Sequence, residues 1–119
     1  MNIATIVAKY PDDAAAIEKL VTFFVEAKDD AGFDLAYLYE HAGFSTPEAT
    51  VMSLLAMDQE DFVESWFSLE LPPGVAVGRY HSVMDIPRDV FNPNTGEWHR
   101  VLVNDIRVYY RRRRAPAGP

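Results

Sequence analysis

The 119-residue sequence contains no cysteine, which excludes a disulfide framework, a thiolate zinc site and thiol catalysis. It has no lysine beyond residue 28 and neither lysine nor arginine from residue 29 to residue 78. A stretch of that kind cannot neutralise phosphates, so it should be repelled by nucleic acid and drawn to basic surfaces. No apolar run approaches the roughly 18 residues that a membrane helix needs, and the first residues lack the basic and apolar regions of a signal peptide. The expectation is a cytoplasmic protein with no membrane partner. Also missing are a His-x-x-x-His pair, clustered acids at metal-ligand spacing and any glycine-rich phosphate loop, so neither a metal nor an organic cofactor is expected, and the protein should not be an enzyme.

What is present is ordinary globular composition, 49% hydrophobic and 24% charged, enough to build one core from a chain of this length. Residues 1–114 read as a single domain and residues 115–119, Ala-Pro-Ala-Gly-Pro, as a fraying tail. The net charge of -7 is unevenly spread: residues 29–78 hold ten acids, whereas residues 79–119 hold eight arginines against four acids.

The pattern predicts an α+β fold. Asn2 to Tyr10 alternates loosely and reads as an N-terminal strand that Pro11 stops. Asp12 or Asp13 can cap a helix carrying Ile17, Leu20, Val21 and Phe24, with Phe23 and Val25 making it apolar nearly all round and therefore central. Asp34 can cap a second helix with Leu35, Leu38, Tyr39 and Ala42 on one face, closed by Gly43. Ser45-Thr46-Pro47-Glu48 reads as a capping box for a third helix carrying Val51, Met52, Leu54, Leu55 and Met57. Asp58 can cap a fourth, with Gln59, Glu60 and Asp61 in its first turn and Phe62, Val63, Trp66 and Phe67 as its stripe.

After Pro72-Pro73-Gly74 the period falls to two, and the remainder reads as an antiparallel β-meander. One strand runs from Val75 to Ile86. Asn92 to Gly96 forms a tight turn between Phe91 and Trp98, and Asn104-Asp105 a second one. That second turn sets Val103 against Ile106, Val101 against Val108, His99 against Tyr110 and Trp98 against Arg111. Val101, Val103, Ile106 and Val108 then face the core, while Trp98, Arg100, Leu102, Arg107, Tyr109 and Arg111 share the outer face.

Leu38 to Met52 resembles a helix-turn-helix, with Gly43 and Phe44 in the turn, Ser45 as cap and Ala49 and Met52 facing inward, and a hairpin could play the wing of a winged-helix-like arrangement. It departs from that pattern at Tyr39, where the family has a small residue. Between Thr46 and Met57 there is also no Arg, Lys, Asn or Gln to read base edges.

Two candidate surfaces follow. Asp58, Glu60, Asp61 and Glu64 form a partner-binding face, and the expected function is an acidic interaction module: a regulator, adaptor or inhibitor docking on a basic surface of another protein, such as nucleic-acid-handling machinery. Inhibitors encoded by phages or mobile elements carry surfaces of this charge. The alternative is a nucleic-acid-binding regulator using Trp98, Arg100, Arg107, Tyr109 and Arg111 with Arg112, Arg113 and Arg114, since guanidinium groups stack on aromatic rings and fork onto phosphates. The same arginines could instead be held by the chain's own acids. Of the histidines, His41 is expected by the last carbonyls of its helix, and His81, Asp85 and His99 are the first residues to test should a metal be found.

Overall fold

The computed structural model describes residues 1–28, 32–72 and 74–113. Among them are four helices, α1 (Ile3–Lys9), α2 (Ala14–Glu26), α3 (Leu35–Ala42) and α4 (Pro47–Gln59). Six strands complete the α+β fold: β1 (Phe33–Asp34), β2 (Val63–Leu71), β3 (Val75–Tyr80), β4 (Asp89–Asn92), β5 (Glu97–Arg100) and β6 (Ile106–Arg112). One sheet has the order β1-β6-β2-β3 and a second consists of β4 and β5 alone. The chain divides into two compact units, Met1–Glu64 with the chain from Tyr110 onward, and Ser65–Tyr109. The expected tail at 115–119, and Arg114, lie outside the described residues.

The first unit holds all four helices. Its N-terminal segment is a helix, not the expected strand: the Asn2 side chain accepts the Ala4 N–H as an N-cap. Ile3, Ile6, Val7 and Tyr10 then recur at helical spacing and pack on the core, with Ile6 buried. Capping and a period near 3.6 outweigh a weak alternation that would have left Ala4 and Ala8 to cover a sheet face. α2 is central as expected, with Ile17, Leu20 and Phe24 fully buried, although Val25 faces solvent. Asp34 caps α3 by accepting the Tyr37 N–H, and Gly43 ends it in the left-handed region at φ 81°.

Two expected caps act differently. Thr46, not Ser45, caps α4, its hydroxyl accepting the Ala49 N–H at 3.0 Å. Asp13 makes no capping bond to α2; its carboxylate accepts the Ser45 N–H at 2.8 Å and the Ser45 hydroxyl at 3.1 Å, 32 residues away. Buried Leu38, Ala42 and Phe44 agree with the helix-turn-helix spacing, while Met52 points outward instead of inward.

The expected fourth helix is absent. α4 continues through Asp58 to Gln59, Asp61 adopts φ 58°, and Val63 begins β2. After the left-handed turn at Asp61, a conformation Asp tolerates better than most residues, Phe62 lies in a bend and Val63, Trp66 and Phe67 of the expected stripe are strand residues.

In the second unit β2 and β3 form an antiparallel hairpin, Phe67 opposite Tyr80 and Leu71 opposite Val75, with an irregularity between Leu69 and Glu70. The expected Val75–Ile86 strand ends at Tyr80, and Val83–Asp85 is a 3-10 turn. β4 and β5 form the expected hairpin around Asn92 to Gly96, with Phe91 opposite Trp98 and Gly96 at φ 73°. The Asn104-Asp105 hairpin does not form. Val103–Asp105 is a 3-10 turn, and β6 leaves β5 to pair in the other sheet. Val103, expected in the core, is 80% exposed. Asp105 folds back to accept the Leu102 N–H, which holds Leu102 to Asp105 as a 3-10 turn in place of a hairpin loop.

Candidate functional site

α4 is apolar on two opposite faces. Thr50, Ser53, Leu54 and Met57, at i, i+3, i+4 and i+7, are buried and form its inner stripe. The same spacing places Glu48, Val51, Met52, Leu55 and Gln59 on the other side, where Val51 is 37% exposed and Met52 and Leu55 are each 45% exposed. Met52, expected to face inward, is among these exposed residues. The contrary signal was available: five large apolar residues within seven positions exceed what one stripe can bury.

The acids at the end of this helix meet the arginines of β6. Asp58 accepts from the Arg113 guanidinium at 3.1 Å, and Asp61 lies 4.0 Å from the same side chain. Glu64 pairs with Arg111 through Nε at 2.5 Å, and Glu60 accepts the backbone N–H of Asn2 at 3.1 Å. The physical reason lies in the helix that failed to form. Asp58, Glu60 and Asp61 stand at a helix C-terminus, where carboxylates oppose the dipole, rather than at an N-terminus, where they would complement it. Arg113 supplies the cation that this end favours, and Arg112 places its guanidinium 5.7 Å from the Phe62 ring. Asp61 keeps a side chain 84% exposed, so the end of α4 stays acidic.

The residues expected on one outer hairpin face are thus divided between β5 and β6, which lie in different sheets. Arg107 pairs with Glu70 at 3.3 Å, and the Tyr109 hydroxyl donates to the same carboxylate at 2.8 Å. Tyr109 also stacks on Trp66, over whose ring the Arg79 guanidinium sits at 4.2 Å. Trp98 and Arg100 belong to the separate β4–β5 hairpin, and Arg111 is held by Glu64.

The histidines are engaged locally. His41 donates from Nδ1 to the Tyr37 carbonyl at 3.0 Å, one turn back within its helix rather than at the last carbonyls, and stacks on the Tyr37 ring at 3.9 Å. His99 meets not Tyr110 but Asp105, with Nε2 to Oδ2 at 2.9 Å. His81 and Asp85 are both exposed and both lie beyond the end of β3, Asp85 closing the 3-10 turn. Among the described residues no three of His, Asp or Glu converge as a metal site would require. The Asp105 carboxyl and the Tyr110 phenol are both shifted from their ordinary ranges by structural causes. The Leu102 N–H, then the His99 ring, hold the Asp105 carboxyl below its ordinary range against the opposing effect of burial. Burial, then the Asp58 carboxylate, push the Tyr110 phenol up.

Among the described residues no helix is long and apolar enough to cross a membrane. Compared with family profiles, with curated proteins and with solved structures, the chain matches none.

Proposed function

We propose that this chain is a non-catalytic interaction module of the cytoplasm, a regulator, adaptor or inhibitor, that docks the outward face of α4 on another protein's apolar surface rimmed by basic residues. The observation that carries the reading is the exposure of Val51, Met52 and Leu55 on a helix whose opposite stripe already fills the core. Each large apolar side chain fully covered by a partner contributes about 1.5–3 kcal/mol, and the surrounding charges select which partner can cover it.

On α4 itself those charges are of one sign, and the cations beside its end are Arg113, paired with Asp58, and Lys9. Glu48 lies at one end of the face, Glu60 and Asp61 follow the other, and no lysine or arginine occurs from residue 29 to residue 78. A second copy docked by the same helix would set acid near acid in either orientation, so the occupant is a different protein with a basic rim. Nucleic acid fits the face poorly, for it offers phosphates no cation. The nucleic-acid alternative also loses its premise, because Trp98, Arg100, Arg107, Tyr109 and Arg111 do not share a hairpin face. Proteins that handle nucleic acid carry basic surfaces of the complementary kind.

Quantitative affinity enrichment from the native host tests this, comparing the wild type with Val51→Ser/Met52→Ser/Leu55→Ser and with Glu48→Gln/Glu60→Gln/Asp61→Asn. The expected outcome is a protein retained by the wild type after nuclease treatment and lost by both variants, with melting temperatures near that of the wild type. Retention unchanged in both variants, or abolished by nuclease, would refute the reading.

A further inference from the structure

The β4–β5 hairpin forms a sheet of its own in the second unit, and its two faces differ. Side chains alternate along each strand, and the register pairs Asp89 with Arg100, Val90 with His99, Phe91 with Trp98 and Asn92 with Glu97. One face carries Val90, Asn92 and His99, each partly or wholly buried, with exposed Glu97 opposite Asn92 at its end. The other carries Asp89, Phe91, Trp98 and Arg100, all exposed. Phe91 and Trp98 meet edge to face at 6.0 Å, and they are 49% and 72% exposed. Tryptophan is among the residues most enriched at binding hot spots, and an aromatic pair left in water is the kind of feature that marks an interface.

We propose that two copies of this chain pair face to face through this hairpin. The argument is the distribution of charge. The face bears one acid and one base, and the register sets them opposite each other in a single cross-strand row, with the two aromatics in the next row. A two-fold axis parallel to the strands, lying between two such faces, stacks β4 of each copy over β5 of the other. Asp89 then meets Arg100 of the second copy, Arg100 meets Asp89, and Phe91 and Trp98 exchange partners in the same way. Every row complements itself, which is the requirement for an isologous interface. Leu102, which continues the alternation beyond Trp98 and Arg100 and is itself exposed, extends the apolar area. The outward face of α4 has no such self-complementarity, so the two surfaces select different partners.

Sedimentation velocity over a concentration series, on the wild type, Asp89→Arg, Arg100→Asp and an equimolar mixture of the two variants, tests the proposal. The wild type should dimerise. Each charge reversal alone sets like charges across both rows and should raise the dissociation constant by about tenfold or more. The mixture should recover the dimer, because one variant offers only bases and the other only acids. Trp98→Ser, which leaves the charges in place, should also be monomeric with a melting temperature close to the wild type, and it decides the matter should either reversal fail to fold. A wild type that stays monomeric at its highest soluble concentration would overturn the proposal. So would a dimer that survives Trp98→Ser or the single reversals.

Discussion

The Asp13–Ser45 contact ties the start of α2 to the turn between α3 and α4, and its removal has a calculable cost. Asp13 is buried and accepts two hydrogen bonds, from the Ser45 N–H at 2.8 Å and from the Ser45 hydroxyl at 3.1 Å. A hydrogen bond to a charged group contributes about 1.5–3 kcal/mol and a weaker hydroxyl bond about 1 kcal/mol. Asp13→Ala should therefore destabilise the first unit by about 2.5–4 kcal/mol. Ser45→Ala removes the hydroxyl bond alone and should cost about 1 kcal/mol. The double variant should fall short of the sum by about 1 kcal/mol, since the hydroxyl bond can be lost only once. Thr46→Ala, which removes the true cap of α4, should cost about 1 kcal/mol and add to Asp13→Ala without coupling. Urea titrations followed by helical circular dichroism read the first unit, where all four helices lie, while tryptophan fluorescence reads the second, which holds both Trp66 and Trp98. If Asp13 and Ser45 were two independent local caps, their effects would add to within about 0.3 kcal/mol, and that result would refute the contact.

Two titrations test the perturbed groups. Asp105 has a folded pKa below its unfolded value near 3.8. Its contribution is thus complete above that pH and lost as the pH falls through the folded value. Asp105→Asn should lower the melting temperature at neutral pH and flatten the acid limb seen by tryptophan fluorescence; parallel acid limbs in variant and wild type would count against the Leu102 and His99 bonds. Tyr110 has a folded pKa above its unfolded value near 10, so its contribution is complete below pH 10 and lost as the pH rises through the folded value. Tyr110→Phe should remove part of the alkaline loss of helical signal, and an unchanged alkaline slope would contradict the burial beside Asp58.

The features legible in the sequence were local ones. Asp34 and Gly43 bracket α3 because a cap and a left-handed stop act within one turn, and Asn92 to Gly96 names its own hairpin for the same reason. α1 was legible but overlooked: Asn2 before Ile3, with Ile6, Val7 and Tyr10, is a helix signal stronger than the alternation that competed with it. β2 was harder. Phe62, Val63, Trp66 and Phe67 fit helical spacing, and what makes them strand is the turn at Asp61 with pairing to β3 and to β6, some forty residues away. Such pairing is not written in any short window. The candidate sites divide in the same way. Composition alone marked the acidic segment and the arginine cluster, and it allowed that one might hold the other. That Arg111 meets Glu64 and Arg113 meets Asp58 depends on a strand placement that local reasoning put against β5. The exposed face of α4 escaped because Met52 was read as an inward position, and that of the β4–β5 hairpin because Trp98 and Arg100 were set on one outer face with β6 residues rather than beside Phe91 and Asp89.

Site-specific photocrosslinking in the native host is the most direct measurement of the claim that α4 is a docking helix. A photoreactive residue at Met52 or Leu55 lies on the outward face, whereas one at Glu18, exposed on α2, serves as the control. The account predicts a discrete protein adduct from Met52 and Leu55, absent from Glu18 and abolished by Glu48→Gln/Glu60→Gln/Asp61→Asn. No adduct at either position, an equal one at Glu18, or an adduct made of a second copy of this chain would contradict it.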